Sequence, residues 1–365
     1  MRFRLGRIER YVLGHSLAGV GAAAALLSAV VLLIDFVDLS RTLGGRADVS
    51  FLTELGLTLL KSPSVIVQLA PFIFLFGVLG AFVDLNRNSE LIAVRALGVS
   101  AWRFILPAAA AAFALGLATL AVLNPLAAVM NSAFESVRAS VSPQDGQART
   151  IWLRQGDAHT QVIIGAAART GVGGVALKDA SLFVYTVDEQ GDLEFSHRIE
   201  AAKARLMKGY WLLTDARDAT PGGKAVRYAS LSIPSNLDDR TALERFASPQ
   251  SMSFWTLPGA IERIEEAGFS AVSYRLRLQQ LLAAPLLFAA MSILAAAFSL
   301  RLTRLGGLAI LAGTGVATGF IFFFFNQLCA SLAQAEVVPP FAAAWTPPIL
   351  ALLSAFTLIF YTEDG

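Results

Sequence analysis

Six runs of about twenty residues, almost free of charge, fix what this chain can fold into. They cover 13–34, 64–83, 104–123, 278–300, 306–330 and 341–361. A helix of about 20 apolar residues crosses a hydrocarbon core about 30 Å thick. Each run therefore predicts a membrane-spanning helix. Pro71 lies inside the second and predicts a kink. The third ends at Asn124-Pro125, and the sixth opens on Pro347-Pro348 after Trp345. The first is longer than the apolar part of a cleavable signal and runs into Asp35-Phe36-Val37-Asp38 with no small-x-small site. It reads as an uncleaved anchor.

Only 15% of the residues are charged, against roughly 25% in a typical soluble domain. Charges crowd 135–280, so two solvents are implied, lipid for the six runs and water for that stretch. The net charge of +2 gives no polyanion-attracting surface and no argument for nucleic acid. Cys329 is the single cysteine, which excludes an internal disulfide and a cysteine-based metal site. His15, His159 and His197 are far apart and read as structural.

Lysine and arginine in short loops orient the spans. Arg2, Arg4, Arg7, Arg10, Arg87, Arg95, Arg103, Arg301 and Arg304 fall on one side. Arg41, Arg46 and Lys61 fall on the other. The first side is the cytoplasm, which also receives both termini. The insert 124–277 then lies outside the cytoplasm.

That insert alternates in strand fashion over 151–153, 161–164, 180–187, 193–206, 210–216 and 224–233. Turn signals separate the strands: Asp188-Glu189-Gln190-Gly191-Asp192, Gly209, Pro221-Gly222-Gly223 and Pro234. Many short strands predict an antiparallel sandwich or roll. A short helix over 257–268 follows, with Thr256 as cap, Pro258 in the first turn, Ile261, Ile264 and Ala267 on one face, and Gly268 as stop.

The motifs of several chemistries are missing. No phosphate-cradling Gly-x-x-x-x-Gly-Lys-Ser/Thr run and no His-Glu-x-x-His is present. Gly14-His15-Ser16-Leu17-Ala18 only approximates a nucleophile elbow and sits in a spanning helix. Asp35, Asp38 and Asp84 fall at span ends; a hydrolytic acid pair among them is the enzymatic alternative to simple interfacial solvation.

Three features carry information. Ser89 reads as the N-cap of a short helix over 89–97, with Glu90 in its first turn, Leu91, Val94 and Leu97 on one face, and Gly98 as stop. So short a helix is marginal alone and must dock, either on headgroups and the neighbouring spans or on a cytoplasmic partner. Span five carries Gly313, Gly315 and Gly319, including a Gly-x-x-x-Gly, which fits close helix packing within the chain or at a subunit interface. Asn326 and Gln327 near its outer end need polar partners. At the outer end of span one, Asp35, Asp38 and Arg41 share one face. They form either a solvated rim or the mouth of a cavity, with Arg41 and Lys61 open to a phosphate-bearing ligand.

Leu33-Ile34-Asp35-Phe36-Val37-Asp38, Ser89-Glu90-Leu91-Ile92-Ala93-Val94-Arg95-Ala96-Leu97-Gly98-Val99-Ser100, Asn124-Pro125, Phe254-Trp255-Thr256-Leu257-Pro258 and Ile293-Leu294-Ala295-Ala296-Ala297-Phe298-Ser299-Leu300-Arg301 resemble, together and in order, the lipopolysaccharide-export permeases of the LptF/LptG family. The G-type pattern is the nearer. The resemblance implies an α-helical membrane protein with six spans and an inserted all-β, jellyroll-like periplasmic domain. It divides the chain into 1–123 (three spans and a coupling helix at 89–97), 124–277 (the β domain with helix 257–268) and 278–365 (three spans).

It further implies a permease subunit in the bacterial inner membrane that exports lipopolysaccharide and carries no ATP site, ATP and Mg being bound by a cytoplasmic ATPase dimer. The other implied partners are a sister F-type permease, a periplasmic bridge and membrane-anchored adaptor proteins. ATPase coupling is expected at Arg87, Glu90, Leu91, Val94, Arg95 and Leu97. The lipid path and gate are expected at Asp35, Asp38, Arg41, Lys61, Gly313, Gly315 and Gly319. Asp35 stands where the G-type pattern has a base. A lipid-processing enzyme and an anchor for a periplasmic β domain are the other functional classes.

Overall fold

The computed structural model describes residues 6–43, 50–141, 151–156, 160–170, 176–187, 193–235, 249–266, 270–302 and 308–363. The chain divides into a unit of 1–134, 249–258 and 271–365 and a unit of 135–248 and 259–270.

The first unit is helical: α1 (Arg7–Leu43), α2 (Phe51–Arg87), α3 (Glu90–Ala96), α4 (Ala101–Ala118), a π-helical segment (Thr119–Leu123) running into α5 (Asn124–Val141), then α7 (Val272–Leu302), α8 (Leu308–Gln334) and α9 (Pro340–Glu363). Among the described residues six helices are long and apolar enough to cross a membrane, as the six runs predict. They overrun the runs, because helical propensity carries on past the hydrocarbon edge until something stops it. Asp35 and Lys61, expected at a span end and in a loop, therefore both sit inside helices.

The third span does not stop at Asn124-Pro125. Pro125 has no N–H for the carbonyl four residues back, Ala121. The Trp255 indole N–H donates to that carbonyl at 3.3 Å instead. Buried Asn124 accepts from the Phe254 backbone N–H at 2.7 Å, so the helix continues by borrowing partners from 254–255. The same logic serves α2 at Pro63, where the Ser62 hydroxyl donates to the orphaned Leu59 carbonyl at 2.8 Å.

α7 is the central helix. Ala295, Ala296 and Ala297 are fully buried, and small side chains there let α2, α4 and α9 close around it. Phe74 and Phe288 stack at 4.9 Å between centroids. α4 meets α7 at Gly116, whose absent Cβ leaves room for the Pro285 backbone. α1 meets α2 through Gly19 and Gly77, each lying on the other helix's backbone.

The second unit holds β1 (Ile151–Gly156), β2 (Thr160–Thr170), β3 (Ala176–Val187), β4 (Leu193–Met207), β5 (Tyr210–Ala219) and β6 (Val226–Pro234). All six predicted strands are present. They form one antiparallel sheet in sequence order, a meander rather than two facing sheets, because each strand pairs with the next. Gly209 and Gly222 make two of the turns between strands at φ 88° and 73°. The 188–192 turn lies outside the described residues.

The sheet buries one face upon itself: Ile164, Leu182, Trp211 and Leu213 have no exposure. Gln155 of β1 closes the roll. Its Oε1 accepts from Trp211 Nε1 at 3.0 Å and from Ser235 Oγ at 2.7 Å, and its Nε2 donates to the Pro234 carbonyl at 3.2 Å.

A crease crosses the sheet. The pairings on either side set Ala167, Asp179, Ala202, Asp215 and Ala229 in line across β2 to β6. Asp179 and Asp215 adopt φ 51° and 52°, a conformation aspartate tolerates better than most residues. In β3, β4 and β5 the alternation slips there by one residue, so that Leu177 and Ala180, Ala201 and Ala204, and Leu213 and Ala216 all point inward. Because neighbouring strands slip together, pairing survives and the inner face stays apolar.

Downstream, α6 (Leu257–Glu266) is the predicted short helix, with Ile261 and Ile264 buried. Ala267 and Gly268 lie outside the described residues. Thr256 Oγ1 donates to the Ser253 carbonyl.

Candidate functional site

At one end of the helical unit, α3 spans seven residues, shorter than the 89–97 expected. Ser89 is not a side-chain cap. It takes a left-handed φ of 61° and its hydroxyl makes no capping bond, because the chain reverses from α2 into α3 at that residue. Gly98, at φ 77°, is the stop the sequence predicts.

Leu91 is 2% exposed and joins the core, and Val94 packs against it. Leu97 departs from their face: it forms the C-cap, where the helical period has ended, and is 78% exposed. Ile92 is exposed beside it, so α3 presents an uncovered apolar tip. An apolar hollow of about 370 Å³ between α1, the end of α2 and α3 is lined by Arg7, Tyr11, Leu85, Glu90, Leu91 and Val94 among others. There Tyr11 and Glu90 line the same hollow, close enough for the carboxylate to act on the phenol hydroxyl. Arg103 pairs with Glu9 of α1 at 2.9 Å, a second tie at this end. Arg87 is exposed in the last turn of α2, and Arg95 is half-buried in α3.

Near the other end of α1 and α2, Asp35 and Lys61 form an ion pair at 2.9 Å. The second carboxylate oxygen of Asp35 is buried without a hydrogen-bond partner. Lys61 is thus engaged rather than free, while Asp38 and Arg41 remain exposed. The shared face expected for Asp35, Asp38 and Arg41 is split, Asp35 turning toward α2. Asp84 stands 23 residues beyond Lys61 on α2, about 35 Å away at about 1.5 Å per residue. The acid trio of the enzymatic alternative is not assembled.

In α8, Gly315 and Gly319 face Leu79, Leu75 and Phe72 of α2, whereas Gly313 faces open space. The Gly-x-x-x-Gly therefore packs within the chain. The opposite side of α8 is an uncovered aromatic face with Phe320, Ile321, Phe324 and Leu328 exposed. α1 is barer still, with Leu26, Val30, Leu33, Ile34 and Val37 exposed.

Between α2, the π-helical segment with the start of α5, α7, α8 and α9 lies a cavity of about 550 Å³. Lys61, Gln68, Asn124, Arg277, Gln280, Asn326 and Gln327 give it a polar wall, and Leu287 and Phe288 an apolar one. Asn326 and Gln327 here find the polar surroundings the sequence demanded. The β unit has a cavity of about 570 Å³ on the inner face of its roll, with Val162, Val184, Ile199, Leu231 and Ile233 beside His197 and Asp218. On the outer surface Arg227 hydrogen-bonds Asp215 at 2.6 Å, which holds the Asp215 carboxyl below its ordinary range and raises Arg227.

Sequence reading missed Tyr11, Gly19, Gly77, Gln68, Gln280 and Arg277. Arg277 precedes the apolar run 278–300 and so reads as a flanking charge. The available signal was Arg277 and Gln280 at i and i+3, one helical face continuing into the span.

The profile of the family described as "Lipopolysaccharide export system permease LptF/LptG" matches residues 10–361. The chain is 21% identical, over 97% of its length and 98% of theirs, to two proteins named "Lipopolysaccharide export system permease protein LptG". One is from Escherichia coli strain K12 and the other from Escherichia coli O6:H1 strain CFT073.

Proposed function

Because this chain belongs to the LptF/LptG family of lipopolysaccharide export system permeases, we propose that it is the G-type permease subunit of an ATP-driven complex that lifts lipopolysaccharide out of the bacterial inner membrane and passes it to a periplasmic bridge. The sister F-type permease, a cytoplasmic ATPase dimer and membrane-anchored adaptors complete the complex. Both termini and α3 face the cytoplasm, and the β unit faces the periplasm.

The observation that carries this reading is α3. It is too short to stand alone, it is rooted in the core by Leu91, and it holds Ile92 and Leu97 out uncovered. A chain without a phosphate-binding loop that receives force needs such a contact. Closure of the ATPases would press on α3. The push would pass to α1 through Tyr11 and Glu90, and to α2 through the short link at Ser89. The bare faces of α1 and α8 fit helices that meet lipid or the sister permease. The apolar interior of the roll fits acyl chains, which need only a greasy lining and no covalent step.

Glu90→Ala should lower ATP-driven lipid release from reconstituted vesicles by about fivefold or more, the range of a coupling energy, with membrane insertion unchanged. Unchanged release would remove Glu90 from the coupling path.

A further inference from the structure

We propose that the cavity of the helical unit is a binding site for a phosphate group, with Arg277 as the residue that meets it. The proposal draws on the export reading only for the source of the phosphate; the charge argument stands without it. Arg277 lies one to two turns into α7, partly buried, and its Nε is shut from solvent with no hydrogen-bond partner. A guanidinium is always charged. Enclosing it unpaired within a bilayer-spanning unit is costly, and such charges serve ligands or ion paths.

No Asp or Glu among the described residues lines the cavity. Its other cation, Lys61, is paired with Asp35. The counter-charge for Arg277 must therefore come from outside the described chain. The neutral polar groups that share the cavity wall with Arg277 include donors as well as acceptors: the amides of Gln68, Gln280 and Asn326. Several donors in one cavity with a guanidinium suit a tetrahedral oxyanion with multiple acceptor oxygens. The volume, about 550 Å³, is in the range of small-molecule sites and larger than a bare ion requires. Leu287 and Phe288 line the same space, so the bearer of the phosphate has an apolar part.

The test uses the full chain in a phosphate-free maltoside detergent. Thermal unfolding is followed with three probes: a bisphosphorylated acylated glucosamine disaccharide, the same lipid without phosphates, and inorganic phosphate. A ligand that binds the folded state raises the midpoint. The phosphorylated lipid should bind wild type about tenfold or more tightly than its dephosphorylated form, as one charged hydrogen bond implies. Arg277→Gln should erase that preference, and Arg277→Lys should keep part of it. An Arg277-dependent shift with inorganic phosphate, and none with the lipid, would uphold the oxyanion site and assign it to free phosphate.

Without ligand, Arg277→Gln should melt at or above wild type, since it removes an unpaired buried charge. A variant that melts below wild type, or that responds to the probes as wild type does, overturns the proposal. ATP-driven release is scored separately in reconstituted complexes. A complex that fails to export while its chain still shows the Arg277-dependent shift would sink the export reading and leave this site standing.

Discussion

Gln155 shows how much of the β unit hangs on one amide. It satisfies the indole N–H of fully buried Trp211, the Ser235 hydroxyl and the Pro234 carbonyl together. Gln155→Ala leaves the buried indole N–H without a partner, at a cost of about 1–3 kcal/mol. The denaturation midpoint of the β unit, read by tryptophan fluorescence, should fall with an unchanged denaturant slope. At this scale the sequence was legible where chemistry is local. Gly98 announced a left-handed stop, and Leu91 a buried anchor. It was illegible where a partner is distant, since nothing near Gln155 in the chain names Trp211. Asp35 was readable as a misplaced acid, but its lysine lies on another helix. Ser89 looked like a cap because serine usually is one; the reversal of the chain claims its backbone instead.

For the helices, lipid thickness makes the spans legible and says nothing of how they cross. The Gly-x-x-x-Gly of α8 advertised itself by its repeat, whereas Gly19 and Gly77 are single glycines whose meaning exists only once α1 lies on α2. Their consequences differ. A Cβ at Gly77 meets the Val20 backbone at 2.5 Å, one at Gly315 meets only the flexible end of Leu79, and one at Gly313 meets nothing. Gly77→Ala should destabilise the helical unit by about 1–3 kcal/mol through overpacking. Gly315→Ala should cost less. Gly313→Ala should be neutral or gain up to about 1 kcal/mol from helix propensity. Midpoints of thermal unfolding in detergent would rank the three. The strands carry a matching lesson. Their existence follows from alternation and turns, but a strict two-residue count assigns half of β3, β4 and β5 to the wrong face, because the slip at Asp179, Ala202 and Asp215 is coordinated across neighbours that the sequence keeps apart.

Two solvents wrote this molecule, and their separation is its most legible property: the charge-poor runs became the helical unit and the charged middle became the β unit. The orientation of the two in a bilayer can be measured directly. With Cys329 replaced by serine, a cysteine at exposed Leu97 should react with an impermeant maleimide only from the cytoplasmic face, and one at exposed Tyr228 only from the opposite face. Labelling of both from one side would overturn the proposed placement of α3 and the β unit on opposite faces. The line through Ala167, Asp179, Ala202, Asp215 and Ala229 also separates two properties of the sheet, where its alternation slips and what its inner face buries. The slip is confined to one row, one residue per strand, while Ile164, Leu182, Trp211 and Leu213 fill the core elsewhere. That row can thus change without altering the apolar core, and the core can be rewritten without touching the row.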